Sequence, residues 1–119
     1  MEIEIKHFTP EEMACKCGCK SCRMILDFMQ RLEEIRIHYN RPMHITSGFR
    51  CADYDKAIGG KGNHSLGCAA DVLISKGDNM MDFVEACLKV KMRRVILYHN
   101  MPHVHIDDNP DAPGGIFIY

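Results

Sequence analysis

A carboxylate at the head of an otherwise apolar run is the feature that most constrains this chain. Ala70-Asp71-Val72-Leu73-Ile74 has the composition of a buried strand, and a charge buried there without a partner is costly. A metal ion would remove that cost, which makes Asp71 a candidate ligand. Upstream lies His64, in His64-Ser-Leu-Gly-Cys-Ala-Ala-Asp71. Gly67 and the small pair Ala69 and Ala70 allow close backbone approach between the two. Downstream, Val104 and Ile106 alternate with His103, His105 and Asp107. That period of two marks a strand and sends both histidines and the carboxylate to one face. A catalytic zinc usually takes three protein ligands and leaves a fourth position for water, and His64, Asp71 and His105 fit that count. A single histidine on a strand face is ordinarily solvated surface. It is the joint pattern that points to a metal.

These segments, together with Ser47-Gly-Phe-Arg50 and the Gly59-Gly60 turn, resemble the zinc D-Ala-D-Ala peptidase family. Related sites occur in the vancomycin-resistance D,D-dipeptidases, phage L-alanoyl-D-glutamate endolysins and the Hedgehog signalling domain. The shared pattern is H-x-x-G-x-A-x-D followed by H-x-H, and His64 to Asp71 matches it without gaps. The resemblance spans most of the chain. It implies that His64, Asp71 and His105 are zinc ligands, and that His103 assists water activation or stabilises the tetrahedral intermediate. Arg50 matches an arginine that contacts substrate or the developing oxyanion, a role suited to a planar, permanently charged group. A structural ion pair is the alternative for Arg50. Several relatives carry an acidic residue three positions before the last zinc histidine, where this chain has Pro102. The general base therefore stays open among His103, His99 and Asp107. The relatives' usual serine two positions before the first ligand is replaced by Gly62.

With 15 basic and 16 acidic residues the chain is nearly neutral, which argues against nucleic acid or an anionic membrane as the main partner. It has no apolar run long enough for a membrane span. Met1-Glu-Ile-Glu-Ile-Lys6 lacks the apolar core of a secretory signal. The expectation is a monomer made in the cytoplasm that acts on cell wall after release. Seven cysteines are many for that compartment. Cys15, Cys17, Cys19 and Cys22 are clustered, as ligands of a second, structural zinc, as reduced packing residues, or as partners in a later disulfide. The resemblance adds a structural link between this cluster and Cys51.

Thr9-Pro10-Glu11-Glu12 has the form of a capping box and predicts a short helix. From Arg23 to His38 the stripe Ile25, Phe28, Met29, Leu32 and Ile35 predicts the main core helix, ended by Asn40-Arg-Pro42. Met43 to Thr46 reads as a strand, Cys51 to Ile58 as a helix stopped at Gly59-Gly60, and Asp78 as the cap of a third helix over Met80 to Val90 that stacks Met81, Val84 and Leu88. Val95 to Tyr98 and His103 to Asp107 pair as a hairpin, Gly115 to Tyr119 forms an edge strand, and the loop from Asp108 to Gly115 shapes the rim of the site. The expected fold over residues 1–119 is one α+β domain, a small antiparallel sheet carrying the zinc site and packed against helices, like the Hedgehog and D,D-peptidase domains. The expected function is zinc-dependent hydrolysis of peptidoglycan peptide bonds, as a D-Ala-D-Ala carboxypeptidase or an L-Ala-D-Glu endopeptidase of the endolysin kind. The alternative is a non-catalytic zinc-binding interaction domain of the same fold. A cysteine-centred redox or metal-buffer protein would leave the His64, Asp71 and His105 pattern unexplained.

Overall fold

Five strands form one sheet in the order β1-β2-β4-β3-β5, seen in a computed structural model that describes residues 3–119. Met1 and Glu2, the start of the segment read above for a secretory signal, lie outside the described residues. The strands are β1 (His44–Ser47), β2 (Ala69–Leu73), β3 (Arg94–Leu97), β4 (His103–Asp107) and β5 (Gly115–Ile118). The helices are α1 (Pro10–Met13), α2 (Leu26–Tyr39), α3 (Ala52–Ala57) and α4 (Asp78–Val90), with a short 3-10 turn at His64–Leu66. Strands β1, β2, β4 and β3 pair antiparallel, including the β3–β4 hairpin. The edge strand β5 instead runs parallel to β3. Among the described residues no helix is long and apolar enough to cross a membrane.

Alternation along the strands divides the sheet into two chemically different faces. Ile45, Ala70, Val72, Val95, Val104 and Ile106 are buried in one core with Phe28, Leu32 and Ile35 of α2 and Phe83 and Cys87 of α4. The opposite positions on the central strands are Asp71, His103, His105, Asp107 and Ile96. One face is therefore closed by helices, and the other is left for the site.

Local signals set most element ends. The Thr9 hydroxyl accepts the Glu12 amide at 3.1 Å while the Glu12 carboxylate accepts the Thr9 amide, so the capping box forms. Helix α2 starts at Leu26 rather than Arg23. The Ile25 amide is spent on the Gly67 carbonyl at 2.8 Å, and Ile25 caps the helix with its side chain exposed instead of joining the core stripe. Gly67 is required at this crossing. Its φ is +79°, and a Cβ there would stand 2.2 Å from the Arg23 carbonyl oxygen. At its other end α2 closes on Asn40 in the left-handed conformation, whose amide bonds the Arg36 carbonyl.

Helix α4 corrects two expectations. Gly77 is its cap and Asp78 its first helical residue. Its buried face is Phe83, Ala86 and Cys87, with Met80 and Val90 packed alongside, while Met81 and Leu88 are exposed. Both sets recur at three- and four-residue steps, so periodicity alone permits two phases. The aromatic ring decides: Phe83 meets Tyr39 of α2 edge-on, with centroids 5.6 Å apart.

Candidate active site and metal centre

Asp71 and His105 lie directly opposite each other on β2 and β4, and the 3-10 turn brings His64 against them. His105 Nδ1 is 3.0 Å from Asp71 Oδ1 and His64 Nε2 is 3.4 Å from Asp71 Oδ2. One ligand atom from each of the three lies within 4.8 Å of the others, and all three side chains are buried. The second nitrogen of each ring is already committed. The Gly48 carbonyl can only accept, so His64 Nδ1 donates to it at 2.8 Å, which leaves Nε2 to face Asp71. His105 Nε2 donates to Asp107 Oδ2 at 2.7 Å. Such outer partners fix the tautomer and ring angle of metal-binding histidines.

The electrostatics follow from the same contacts. Burial raises the cost of the Asp71 charge, but hydrogen bonds from His105 and His64 outweigh it and hold the carboxyl far below the ordinary carboxylate range. Burial alone would lower the His105 pKa, yet the Asp107 and Asp71 carboxylates on its two nitrogens raise it. A proton on Nδ1 there occupies the place a cation would take, since metal and proton compete for the same lone pair. Two imidazole nitrogens and one carboxylate oxygen form a donor set that fits zinc, with room for a fourth ligand on the cavity side. These residues would hold the ion.

That cavity has a volume of about 700 Å³, and His64, Asp71, His103, His105 and Arg50 are among its walls. His103 is partly exposed, with Nε2 4.0 Å from Asp71 Oδ2 and its ring tilted against Tyr98 at 5.1 Å between centroids. Arg50 reaches the centre from the turn after β1. A bulge between Ile45 and Ser47 sets Ser47 opposite Asp71, and the Ser47 hydroxyl accepts Arg50 Nε at 3.0 Å. The guanidinium also donates to Asp55 Oδ1 at 3.1 Å and Asp71 Oδ2 at 3.3 Å. Three of its five N–H groups are thereby used. Both roles fit this placement, since the bonds order the group, two N–H groups are left over, and Arg50 lines the cavity.

Asp107 is fully buried and does not line the cavity. Its carboxylate accepts from His105 Nε2, from Arg94 Nε at 3.0 Å and from the Asn109 amide at 3.0 Å. These bonds, against the burial cost, keep its pKa below the usual value. His99 is exposed, pairs its Nδ1 with the Tyr119 carbonyl and stands outside the cavity. The loop after β4 does form the rim: Asn109, Ala112 and Pro113 line the cavity. Arg93 and Arg94 tie this loop down through the Asn109, Ala112 and Pro113 carbonyls.

Three contributors escaped the sequence reading. Arg94 on β3 and Tyr98 just past its end lie on the site side, as Ile96 does by pairing with His105; strand alternation carries the signal that finds them. Burial raises the Tyr98 pKa, aided by the Asp71 charge, so its hydroxyl stays protonated and able to donate. Asp55 is buried and joins Arg50 to the Gly62 amide at 2.9 Å. Gly60 makes room for it, since a Cβ there would lie 2.1 Å from Asp55 Oδ1. No local pattern in the sequence marks Asp55.

The cysteine cluster differs from the expected set. Cys15, Cys17 and Cys19 gather with Cys51, and Cys22 is not part of the group. Cys51 arrives because the turn that carries Arg50 folds back on the N-terminal segment, with the Phe49 amide bonded to the Met13 carbonyl at 2.8 Å.

No curated protein matches this chain. Residues 6–107, which include His64, Asp71, His103, His105 and Arg50, match the family model of peptidase M15, and the chain belongs to that family of zinc-dependent metallopeptidases.

Proposed function

We propose that this metallopeptidase hydrolyses peptide bonds of peptidoglycan stem peptides, as a D-Ala-D-Ala carboxypeptidase or an L-Ala-D-Glu endopeptidase. The convergence of His64 Nε2, Asp71 and His105 Nδ1 at a cavity wall, with the other imidazole nitrogens held by Gly48 and Asp107, carries the reading. The bound zinc would supply Lewis acidity, polarising a scissile carbonyl and bringing the pKa of water down to about 7. His64, Asp71 and His105 serve as the ligands.

The chain's own residues divide the remaining work. Among the described cavity-lining residues Asp71 is the only carboxylate, and as a ligand it has no capacity left for proton transfer. Asp107 is enclosed by three donors, so it acts through His105 as a positioning residue. Proton handling falls to His103, which combines partial exposure with a place beside Asp71 and a ring whose nitrogens can both accept and donate a proton. Tyr98 packs against that ring and limits its rotation. Arg50 offers its unused N–H groups to a substrate carboxylate or to the developing oxyanion.

Incubation of the zinc-loaded protein with purified peptidoglycan and synthetic stem peptides, followed by mass analysis of the products, tests the reading and locates the bond. Cleavage that stops with a chelator and returns with zinc is expected. Pro102 at the position where relatives carry an acid favours a second reading, a non-catalytic zinc-binding domain. Stoichiometric zinc without cleavage of any stem-peptide bond would establish that second reading.

A further inference from the structure

The segment between α1 and α2 poses a stability problem that packing does not solve. Residues 16–20 are all exposed and lie outside any helix or strand, so burial of apolar surface cannot hold them in place. Three cysteines of this region nevertheless converge on a fourth from a distant part of the chain. The Sγ atoms of Cys15, Cys17, Cys19 and Cys51 all lie within 4.8 Å of one another.

Their spacing has a chemical meaning. Zinc bound tetrahedrally by thiolates at about 2.3 Å puts neighbouring sulfurs about 3.8 Å apart, whereas bonded sulfurs are about 2.05 Å apart. Cys15 and Cys17 are 3.5 Å apart, and Cys17 and Cys51 are 3.8 Å apart. Backbone amides point at the sulfurs as well: Cys51 N–H donates to Cys15 Sγ at 3.4 Å and Ser21 N–H to Cys19 Sγ at 3.5 Å. Bonds of this kind orient thiolate ligands and spread their charge. Cys17 and Cys19 are exposed while Cys15 is buried, which gives a cation a route inward and an ordered inner wall.

We propose that Cys15, Cys17, Cys19 and Cys51 form a closed, structural site for a thiophilic divalent cation of the zinc type. Four thiolates fill a tetrahedron and leave no open position, so the site has no catalytic role of its own. It staples the cysteine loop to the first residue after Arg50, and thereby links the N-terminal segment to the turn that reaches the cavity. The proposal uses no residue of the His64, Asp71 and His105 centre, and stands or falls separately from the peptidase reading.

Differential alkylation of the wild-type protein tests it without disturbing the fold. Zinc-loaded protein, prepared under reducing conditions and treated with iodoacetamide, should protect Cys17, Cys19 and Cys51 while Cys22 reacts; a chelator should expose all of them. Cobalt substitution should give thiolate-to-cobalt charge-transfer absorption that Cys51→Ser abolishes and Cys22→Ser leaves intact. Zinc measured per chain should fall by one equivalent in Cys51→Ser and stay unchanged in Cys22→Ser. Cys51 reacting as fast as Cys22 in the presence of zinc, or a cobalt spectrum without thiolate bands, would overturn the proposal. A disulfide among these cysteines that persists in metal-loaded, reduced protein would do so too.

Discussion

His103 and His105 sit two positions apart on one strand, yet their surroundings differ. His105 is buried with carboxylates on both nitrogens, whereas His103 is partly exposed and has only a distant approach to Asp71 at 4.0 Å. His103→Ala should therefore retain zinc while hydrolysis falls by about 10²–10⁴-fold, the usual contribution of a positioned acid–base group. Near-wild-type turnover in that variant, measured beside zinc content on one preparation, would remove His103 from the mechanism. Arg50 demands a subtler test because it bonds Ser47, Asp55 and Asp71 at once. A lysine keeps the charge but loses the planar five-donor fork that bonds these three acceptors and still has donors to spare. Arg50→Lys is expected to lower kcat/KM by roughly 10²-fold, the scale of a lost oxyanion donor, with zinc retained. The assay belongs well below the melting temperature, where unfolding does not limit activity. Loss that merely follows the unfolded fraction would assign the arginine to structure alone.

At the scale of elements, α2 shows where physics breaks the amphipathic pattern. Glu33 belongs to the polar complement of that helix by sequence, yet it is fully buried. Its Oε1 accepts the Lys6 and His7 amides at 3.0 and 2.9 Å, and its Oε2 pairs with the His7 ring. Burial opposes the charge, but these bonds prevail and hold the carboxyl below its ordinary value of 4.5. A lowered folded-state pKa means that stability is present above about 4.5 and is lost as pH falls through the folded value. Glu33→Gln should cost roughly 2 kcal/mol at neutral pH, the scale of hydrogen bonds to a charged group. The gap to wild type should close on acidification. Parallel denaturant titrations at several pH values would expose a pH-independent gap, which would contradict this account. The same helix shows what was legible in the sequence and what was not. Phe28, Met29, Leu32 and Ile35 are buried as their spacing predicts, because one helix presenting a stripe to one sheet is a local rule. The strand positions of Asp71, His103 and His105 were legible for the same reason. Glu33, Asp55 and the choice of Cys51 over Cys22 depend on segments brought together by the fold. The phase of α4 turned on Phe83 meeting Tyr39, a contact between helices that neither helix encodes alone.

For the molecule as a whole, the sheet separates the apolar core from a cluster of buried polar groups. The helix-covered face buries the large apolar side chains, while the other buries His64, Asp71, His105 and Asp107. Burying such groups is costly unless they are paired, and Asp71 is shared by three histidines and an arginine. A cation at that point stabilises the folded chain specifically, because the unfolded chain scatters the ligands over three separate segments. The linkage is RT ln(1 + [L]/Kd), about 2.7 kcal/mol at 100-fold excess over Kd, a large fraction of the roughly 5–15 kcal/mol typical of a domain. At roughly 4 °C per kcal/mol for a domain of this size, saturating zinc should raise the melting temperature by roughly 10 °C per occupied site. His105→Ala removes one of three donors, so the part of that rise due to the His64, Asp71 and His105 centre should vanish. The helix-covered core does not include His105, so the metal-free variant should still melt cooperatively. Calorimetry on both proteins with chelator and with graded zinc supplies the comparison. Equal zinc-dependent shifts in the two would mean that His105 is not a ligand, and a non-cooperative melt of the metal-free variant would mean that the two faces of the sheet are not energetically separable.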